Sequence, residues 1–355
     1  MNFNFPLLKP LRILLFPFSL LYWLVIFVRN RLYDANILRS AKFNLPIICV
    51  GNIAAGGTGK SPMVEWLLRN FGSELKMATL SRGYKRKTRG YALANETTTA
   101  LEIGDEPMQF HLKFPDVAVA VGEERMVAVP LLLHDRPETQ MIVLDDAFQH
   151  RSIKAGLNIV LTDYSNLYTR DWYLPTGDLR DEKASVKRAD IIVVTKCPLN
   201  LSKEEADAIR KELNPLSHQR VFFAGIRYGI PYHVITHQQM QLEQDMEVLL
   251  VTGIANPKPL KKLLSQTVTT YEQMVFNDHH IFTIDDIRDI QKRFDTLSGK
   301  HKLILSTEKD AVRLVKFQEE LKDLPLFVIP IEMEFLFDEV ESFRSIIGKF
   351  SKQYT

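Results

Sequence analysis

The stretch Ala54-Ala-Gly-Gly-Thr-Gly-Lys-Ser61 decides the fold. A short apolar run, Pro46-Ile-Ile-Cys-Val50, precedes it and reads as a buried parallel strand. A helical pattern, Pro62-Met-Val-Glu-Trp-Leu-Leu-Arg-Asn-Phe71, follows it. Strand, glycine-rich loop, Gly-Lys-Ser and helix together make the context of a phosphate-binding P-loop. Glycines let backbone N–H groups close around phosphate oxygens, and the helix N-terminus adds the positive end of its dipole. Ala54, Ala55, Gly56, Gly57, Thr58, Gly59, Lys60 and Ser61 are therefore the expected nucleotide-binding residues. Lys60 is expected to reach the β- and γ-phosphates, and Ser61 to hold Mg²⁺. Ala54 stands where the strict pattern has its first glycine.

Further apolar runs recur after this segment, with helical stretches between them. They lie at 77–80, 117–121, 141–144, 158–161 and 190–194, and each is continuous rather than alternating. Continuous runs suit strands covered on both faces, so the pattern predicts an α/β fold with a mainly parallel sheet. The texture changes near 220–245, where Pro, His and Gln accumulate. A second α/β run then begins at Glu247-Val-Leu-Leu-Val-Thr252. The expected division is an N-terminal helix in 1–34, a P-loop core in 35–225 and a smaller C-terminal α/β portion in 226–355.

The chain has 355 residues, enough for one large or two medium domains. A net charge of +2 gives no case for nucleic acid as a partner. Cys49 and Cys197 sit in or beside apolar runs and read as buried small hydrophobes. The N-terminus departs from this ordinary composition. Residues 13–28 carry no charge and are flanked by Lys9, Arg12, Arg29 and Arg31. A full membrane span needs about 20 apolar residues, so the run is borderline. Its basic flanks and the pair Tyr22-Trp23 predict a membrane-associated helix, spanning or interfacial. A buried core helix is the alternative, and Pro17 and the short length lean towards a tilted or interfacial segment.

Several residues could carry chemistry. Leu144-Asp145-Asp146 ends a strand, where a P-loop protein needs a carboxylate to assist Mg²⁺, so Asp145 and Asp146 are metal candidates. Asp105, in Gly104-Asp-Glu-Pro107, reads on its own as a helix cap, or as a base for an attacking hydroxyl. His279, in Asn277-Asp-His-His280, reads on its own as a turn residue, or as the partner of a carboxylate. Arg125 falls in the first turn of a helix, where a cation opposes the dipole. The basic loop Ser81-Arg-Gly-Tyr-Lys-Arg86 and the loop Leu174-Pro-Thr-Gly-Asp-Leu-Arg-Asp181 are candidate edges of a site.

Together these segments resemble the tetraacyldisaccharide 4′-kinases, the lipid A 4′-kinases of Gram-negative bacteria. Eight motifs occur in family order between about 46 and 312, from the P-loop through Leu80-Ser-Arg-Gly-Tyr84, Asp145-Asp-Ala-Phe-Gln-His150 and Phe276-Asn-Asp-His-His280 to Ser306-Thr-Glu-Lys-Asp-Ala311. The resemblance implies an ATP- and Mg²⁺-dependent phosphorylation of the 4′-hydroxyl of a tetraacyldisaccharide 1-phosphate, giving the lipid IVA type of product. It implies that Asp105 and His279 form a base dyad with Lys60 at the phosphates. It puts Tyr84, Arg125, Gln149 and His150 near nucleotide or substrate. It implies work at a membrane surface, on the cytoplasmic face of the inner membrane, with no obligate protein partner. The sequence departs from the family pattern at Ser61 for Thr, Ala147 for Gly and Asp181 for Glu. The competing reading is a membrane-tethered P-loop ATPase switch, which needs no Asp105–His279 pair.

Overall fold

The structure is a computed structural model that describes residues 12–354. Lys9 lies outside the described residues. Helix α1, Phe16–Asp34, is the first α-helix among the described residues and follows a short turn at Ile13–Leu15. Pro17 sits in its first turn, where a missing N–H costs nothing, so it starts the helix rather than interrupting it. Beyond the apolar run, α1 continues through Arg29, Arg31 and Asp34.

Strand β1, Ile47–Asn52, lies at the centre of a nine-stranded sheet. It pairs in parallel with β5, Met141–Asp145, on one side and with β6, Leu157–Asp163, on the other. Beyond β5 lie β2, Met77–Ser81, then β4, Ala118–Val121, and the short β3, Ala92–Leu93. Beyond β6 lie β7, Ile191–Thr195, and β8, Arg220–Tyr228. The strands predicted from continuous apolar runs are all present and fully or nearly fully buried. Helices α2, Lys60–Phe71, and α4, Asp105–Lys113, belong to this unit. So do the short α3, Ala100–Ile103, α5, Arg125–Asp135, and α6, Lys203–Leu213. Apolar clusters cover both faces of the sheet, as a mainly parallel sheet requires.

A second sheet of five strands follows. It comprises β9, Tyr232–His233; β10, Glu247–Thr252; β11, Thr270–Val275; β12, Lys302–Thr307; and β13, Leu326–Ile329. Its helices are α7, Lys258–Thr267; α8, Ile284–Asp295; α9, Glu308–Leu314; and α10, Gln318–Leu321. The C-terminal portion differs from the contiguous 226–355 unit expected from the sequence. Residue 226 falls inside β8, and β14, Ile331–Phe335, returns to pair antiparallel with it. The last helix, α11, Val340–Ser351, also packs on the larger unit. The physical reason is aromatic burial. Phe335 and Phe343 meet the Trp66 indole edge-on at centroid distances of 5.2 and 5.0 Å. Trp66 lies on α2, directly after the P-loop, so the C-terminal strand and helix brace the phosphate loop from behind.

Trp66→Ala should destabilise the protein by about 3–5 kcal/mol, the usual cost of emptying a large aromatic site. Urea unfolding of both proteins would measure it, and a loss under about 1 kcal/mol would mean that this brace is not load-carrying.

Candidate active site

The site is built where the larger sheet's parallel strands end. Ligands of open α/β sheets bind outside those carboxyl ends. Residues 53–59 leave β1 there, and Gly59 takes a left-handed φ of +84° that lets α2 begin at Lys60. A Cβ on Gly56 or Gly57 would meet nothing within 4 Å, so the cradle opens to solvent. Ala54, in place of the strict pattern's glycine, pairs with Leu179, and the Ala55 N–H donates to Asp178 O at 2.6 Å. The Pro-Thr-Gly-Asp loop is therefore a wall of the P-loop. Thr195 Oγ1, at the end of β7, donates to Thr58 O at 2.8 Å and holds the loop from the other side.

The two adjacent acids separate in environment. Asp146, with a left-handed φ of +50°, accepts from Arg180 and lies 3.8 Å from Lys60 Nζ. These cations hold its carboxyl below the usual range, although burial, the largest effect, pulls the other way. Asp145 is almost fully buried, and its Oδ1 has no hydrogen-bond partner. Burial first, then the nearby charges of Glu106 and Asp146, push it up to about 8. A buried carboxylate with an orphan oxygen among other acids is short of positive charge, which suits Mg²⁺. Among the described residues no cluster of three or more His, Cys or acidic side chains gathers for a metal. One carboxylate plus Ser61 fits an ion that keeps most of its ligands as water and phosphate oxygens.

Arg125 is only 1% exposed, and its Nε and Nη2 are unpartnered. Burial draws it down to about 10. Burial, Arg125 and Arg82 together draw His150 down to about 4, so its imidazole is neutral at neutral pH. Gln149 donates Nε2 to Asn52 O at 2.8 Å, and its own carbonyl accepts from Arg29 of α1 at 2.8 Å. It braces the phosphate loop and links it to the N-terminal helix.

Asp105 and His279, 174 residues apart, meet across the two sheets. His279 Nδ1 lies 2.7 Å from Asp105 Oδ2. Lys309 Nζ stands 3.5 Å from His279 Nε2, and an ammonium there fits the tautomer that carries its proton on Nδ1, towards Asp105. Arg313 Nε is 3.6 Å from the same carboxylate. Burial alone would raise Asp105. The His279 hydrogen bond and the charges of Arg313, His279 and Lys309 outweigh it and hold the carboxyl below its ordinary value. Gly104, with φ +95°, precedes it, and a Cβ there would come within 3.0 Å of Tyr84 O. Tyr84 is exposed and presents its ring edge-on to His279 at 6.2 Å. Both members of the pair line a cavity of about 860 Å³ whose walls include Met108, Leu112, Ile281 and Val312. Glu106, next to Asp105, acts on Asp145, so the start of α4 faces both the dyad and the strand-end acid.

The structure also brings in residues that the sequence left unassigned. Arg180 contacts both Asp146 and Asn52 Oδ1. Its signal was the Leu179-Arg180 pair in the wall loop. Asp181 is not at the phosphates. It accepts from Asn30, Ser185 and Arg188 and anchors α1.

Asp145 carries a stability consequence with a definite sign. Its folded-state value, about 8, lies above the ordinary 3.8, so the folded form binds the extra proton between these limits. Stability therefore falls as pH rises from about 4 to about 8. Asp145→Asn should flatten that decline in thermal unfolding without added metal or nucleotide. An equal decline in the variant would mean that Asp145 is already ionised at neutral pH.

A family model described as tetraacyldisaccharide-1-P 4′-kinase matches residues 11–351. A tetraacyldisaccharide 4′-kinase of Bacteroides thetaiotaomicron is 42% identical over 350 residues, covering 94% of this chain and 92% of that protein. A Flavobacterium johnsoniae relative of the same name is 43% identical over 327 residues, covering 92% and 93%. The solved structure of LpxK from Aquifex aeolicus in complex with ATP superposes with a TM-score of 0.74 at 26% identity, covering 96% of this chain and 99% of that one. Matched along nearly its whole length by model, relatives and fold, the chain belongs to the tetraacyldisaccharide-1-phosphate 4′-kinase family.

Proposed function

We propose that the chain transfers the γ-phosphate of ATP to the 4′-hydroxyl of a tetraacyldisaccharide 1-phosphate, at the cytoplasmic face of the inner membrane. The observation that carries this reading is the 2.7 Å Asp105–His279 hydrogen bond in a chain that also carries a P-loop, with Glu106, next to Asp105, acting on the strand-end Asp145. An ATPase switch needs a positioned water but no base for a sugar hydroxyl. The ionised Asp105 accepts the hydroxyl proton while the acceptor oxygen bonds to the γ-phosphorus and the bond to the β-phosphate oxygen breaks. His279 steers that carboxylate. Lys60 and the loop N–H groups of 54–61 hold the phosphates. Arg125 and Arg180 add positive charge where phosphate oxygens gather. Ser61 and Asp145 would hold Mg²⁺, which neutralises charge on the transferring phosphate. Asp146 then serves Lys60 and Arg180 rather than the metal.

Helix α1 supports the membrane part of the reading. It turns a polar stripe inward: Ser19 donates to Tyr173 O at 3.0 Å, and Asn30 Nδ2 donates to Asp181 and Glu182 at 3.0 and 2.9 Å. Its apolar side faces out, with Phe18 62%, Leu21 61% and Val25 61% exposed. With the turn before it, Ile13–Asp34 is by length and composition long and apolar enough to cross a membrane. The inward polar stripe favours lying along the bilayer surface instead.

The reading is tested by incubating the full chain with ATP and a lipid disaccharide 1-phosphate. A new phosphate on the lipid is expected, and ATP hydrolysis without transfer would sink it. Asp105→Ala should lower kcat by about 10²-fold or more with little change in ATP affinity. His279→Ala should move the acid limb of the kcat/KM profile upward. Asp105 loses the hydrogen bond that holds it low, so activity falls away at a higher pH. An unmoved limb would assign that limb to another group.

Leu21→Gln with Val25→Gln should shift the protein from lipid vesicles to the free fraction in a flotation assay. Thermal unfolding should hardly change, because both side chains are exposed. Unaltered vesicle binding would place the anchor elsewhere.

A further inference from the structure

We propose that Lys113 is a positioning residue for phosphoryl transfer, fixing the helix of Asp105 against the two helices that carry the rest of the site. The inference rests on the functional reading above. Lys113 Nζ lies 2.5 Å from Glu65 Oε2 and 2.6 Å from Glu308 Oε1. Gln109, one turn earlier on α4, donates Nε2 to Glu65 Oε1 at 2.6 Å and lies 3.5 Å from Glu308 Oε2. Tyr232 donates its hydroxyl to Glu308 Oε1 at 3.2 Å. The Glu65 and Glu308 side chains are 3% and 5% exposed. Exposed ion pairs are worth little, but removing one member of a buried set strands a charge.

The placement of this network gives it a function. Glu65 is on α2, five residues after Lys60 of the phosphate loop. Lys113 is the last residue of α4, and Asp105 is the first. A helix of that length holds its two ends about 12 Å apart as a stiff rod. Glu308 is the first residue of α9. Lys113 pairs with this start of α9, while Asp105 pairs with Arg313 near its end. The two helices therefore run antiparallel and are gripped at both ends.

Helix α9 in turn carries the His279 loop. Arg313 Nη1 donates to His280 O at 2.8 Å. Asp310 accepts from the Gly253 N–H at 3.1 Å, and Gly253 O accepts from the His279 N–H at 3.3 Å. Releasing Lys113 removes the charged tie of the far end of α4 to α2 and α9 together and leaves only Gln109 bridging them. The near end, with Asp105 against His279, then loses its fixed place over the phosphates.

Lys113→Met keeps the stem and removes the charge. Its kcat should fall about tenfold to hundredfold, the penalty for a base misplaced on the ångström scale, with KM for ATP changed less than about twofold. Lys113→Arg should recover most of the rate, since its fork can bridge two carboxylates. Added to Asp105→Ala, Lys113→Met should cost nothing more, because the residue it acts through is gone. An unchanged kcat in the single variant, or an equal loss in both backgrounds, overturns the proposal. Should Lys113→Met fail to fold, Glu308→Gln carries the same cycle. Carboxyl NMR of Asp105 in the full chain without substrate gives a second readout. Its midpoint should rise in Lys113→Met as the His279 bond loosens, and a fixed midpoint overturns the proposal whatever the acceptor. Wild-type protein that fails to phosphorylate the lipid defeats the functional reading and leaves this NMR result to stand or fall alone.

Discussion

The antiparallel pairing of β14 on β8 is the constraint on which the site depends. The chain leaves the larger sheet through β8, builds the smaller sheet, and returns through β14 in register, Ile331 opposite Tyr228 and Phe335 opposite Ala224. The smaller sheet is thus an insertion held at both ends by neighbouring strands. Two tethers that share a ladder restrict where His279 can lie far more than one linker would. They also place β14 behind the phosphate loop, where the Met333 methyl approaches Gly59. The strand that tethers the insertion therefore also packs against the loop.

Within that frame, electrostatics divides the labour among similar side chains. Asp105, Asp145 and Asp146 each have a different environment. Asp105 is held ionised by a histidine and two cations. Asp146 is occupied by Arg180 and Lys60. Asp145 is buried without a partner for one oxygen and is pushed towards its neutral form. Carboxylates whose environments drive their pKa values apart can take different roles in one reaction.

The donor half of the site was legible in the sequence because it is local. Strand, loop and helix follow one another within about 25 residues, and their periodicity and glycines are visible in a single pass. The acid pair at 145–146 was legible for the same reason, although which acid is free required the position of Arg180. The acceptor half was not legible from spacing. Read alone, Asp105 is a cap and His279 a turn residue; the family resemblance pointed to the pair, and the three-dimensional structure supplies the contact. The return of β14 was hidden because Ile331-Glu-Met-Glu-Phe335 alternates apolar and charged residues and is short. Glu65, by contrast, left a signal: one acid inside the buried run Met63-Val-Glu-Trp-Leu-Leu68 asks for a buried partner.

The inward polar stripe of α1 has a consequence for how the enzyme meets its acceptor. Arg29 grips the Gln149 carbonyl beside the phosphate loop, and Asn30 grips the wall loop through Asp181. On the proposed reading, the helix is a rigid spacer between the bilayer surface and the reacting groups. On that reading the sugar is reached at headgroup height while its acyl chains stay in the membrane. Encounter then becomes a two-dimensional search, and turnover follows the mole fraction of acceptor in the leaflet rather than its concentration in bulk.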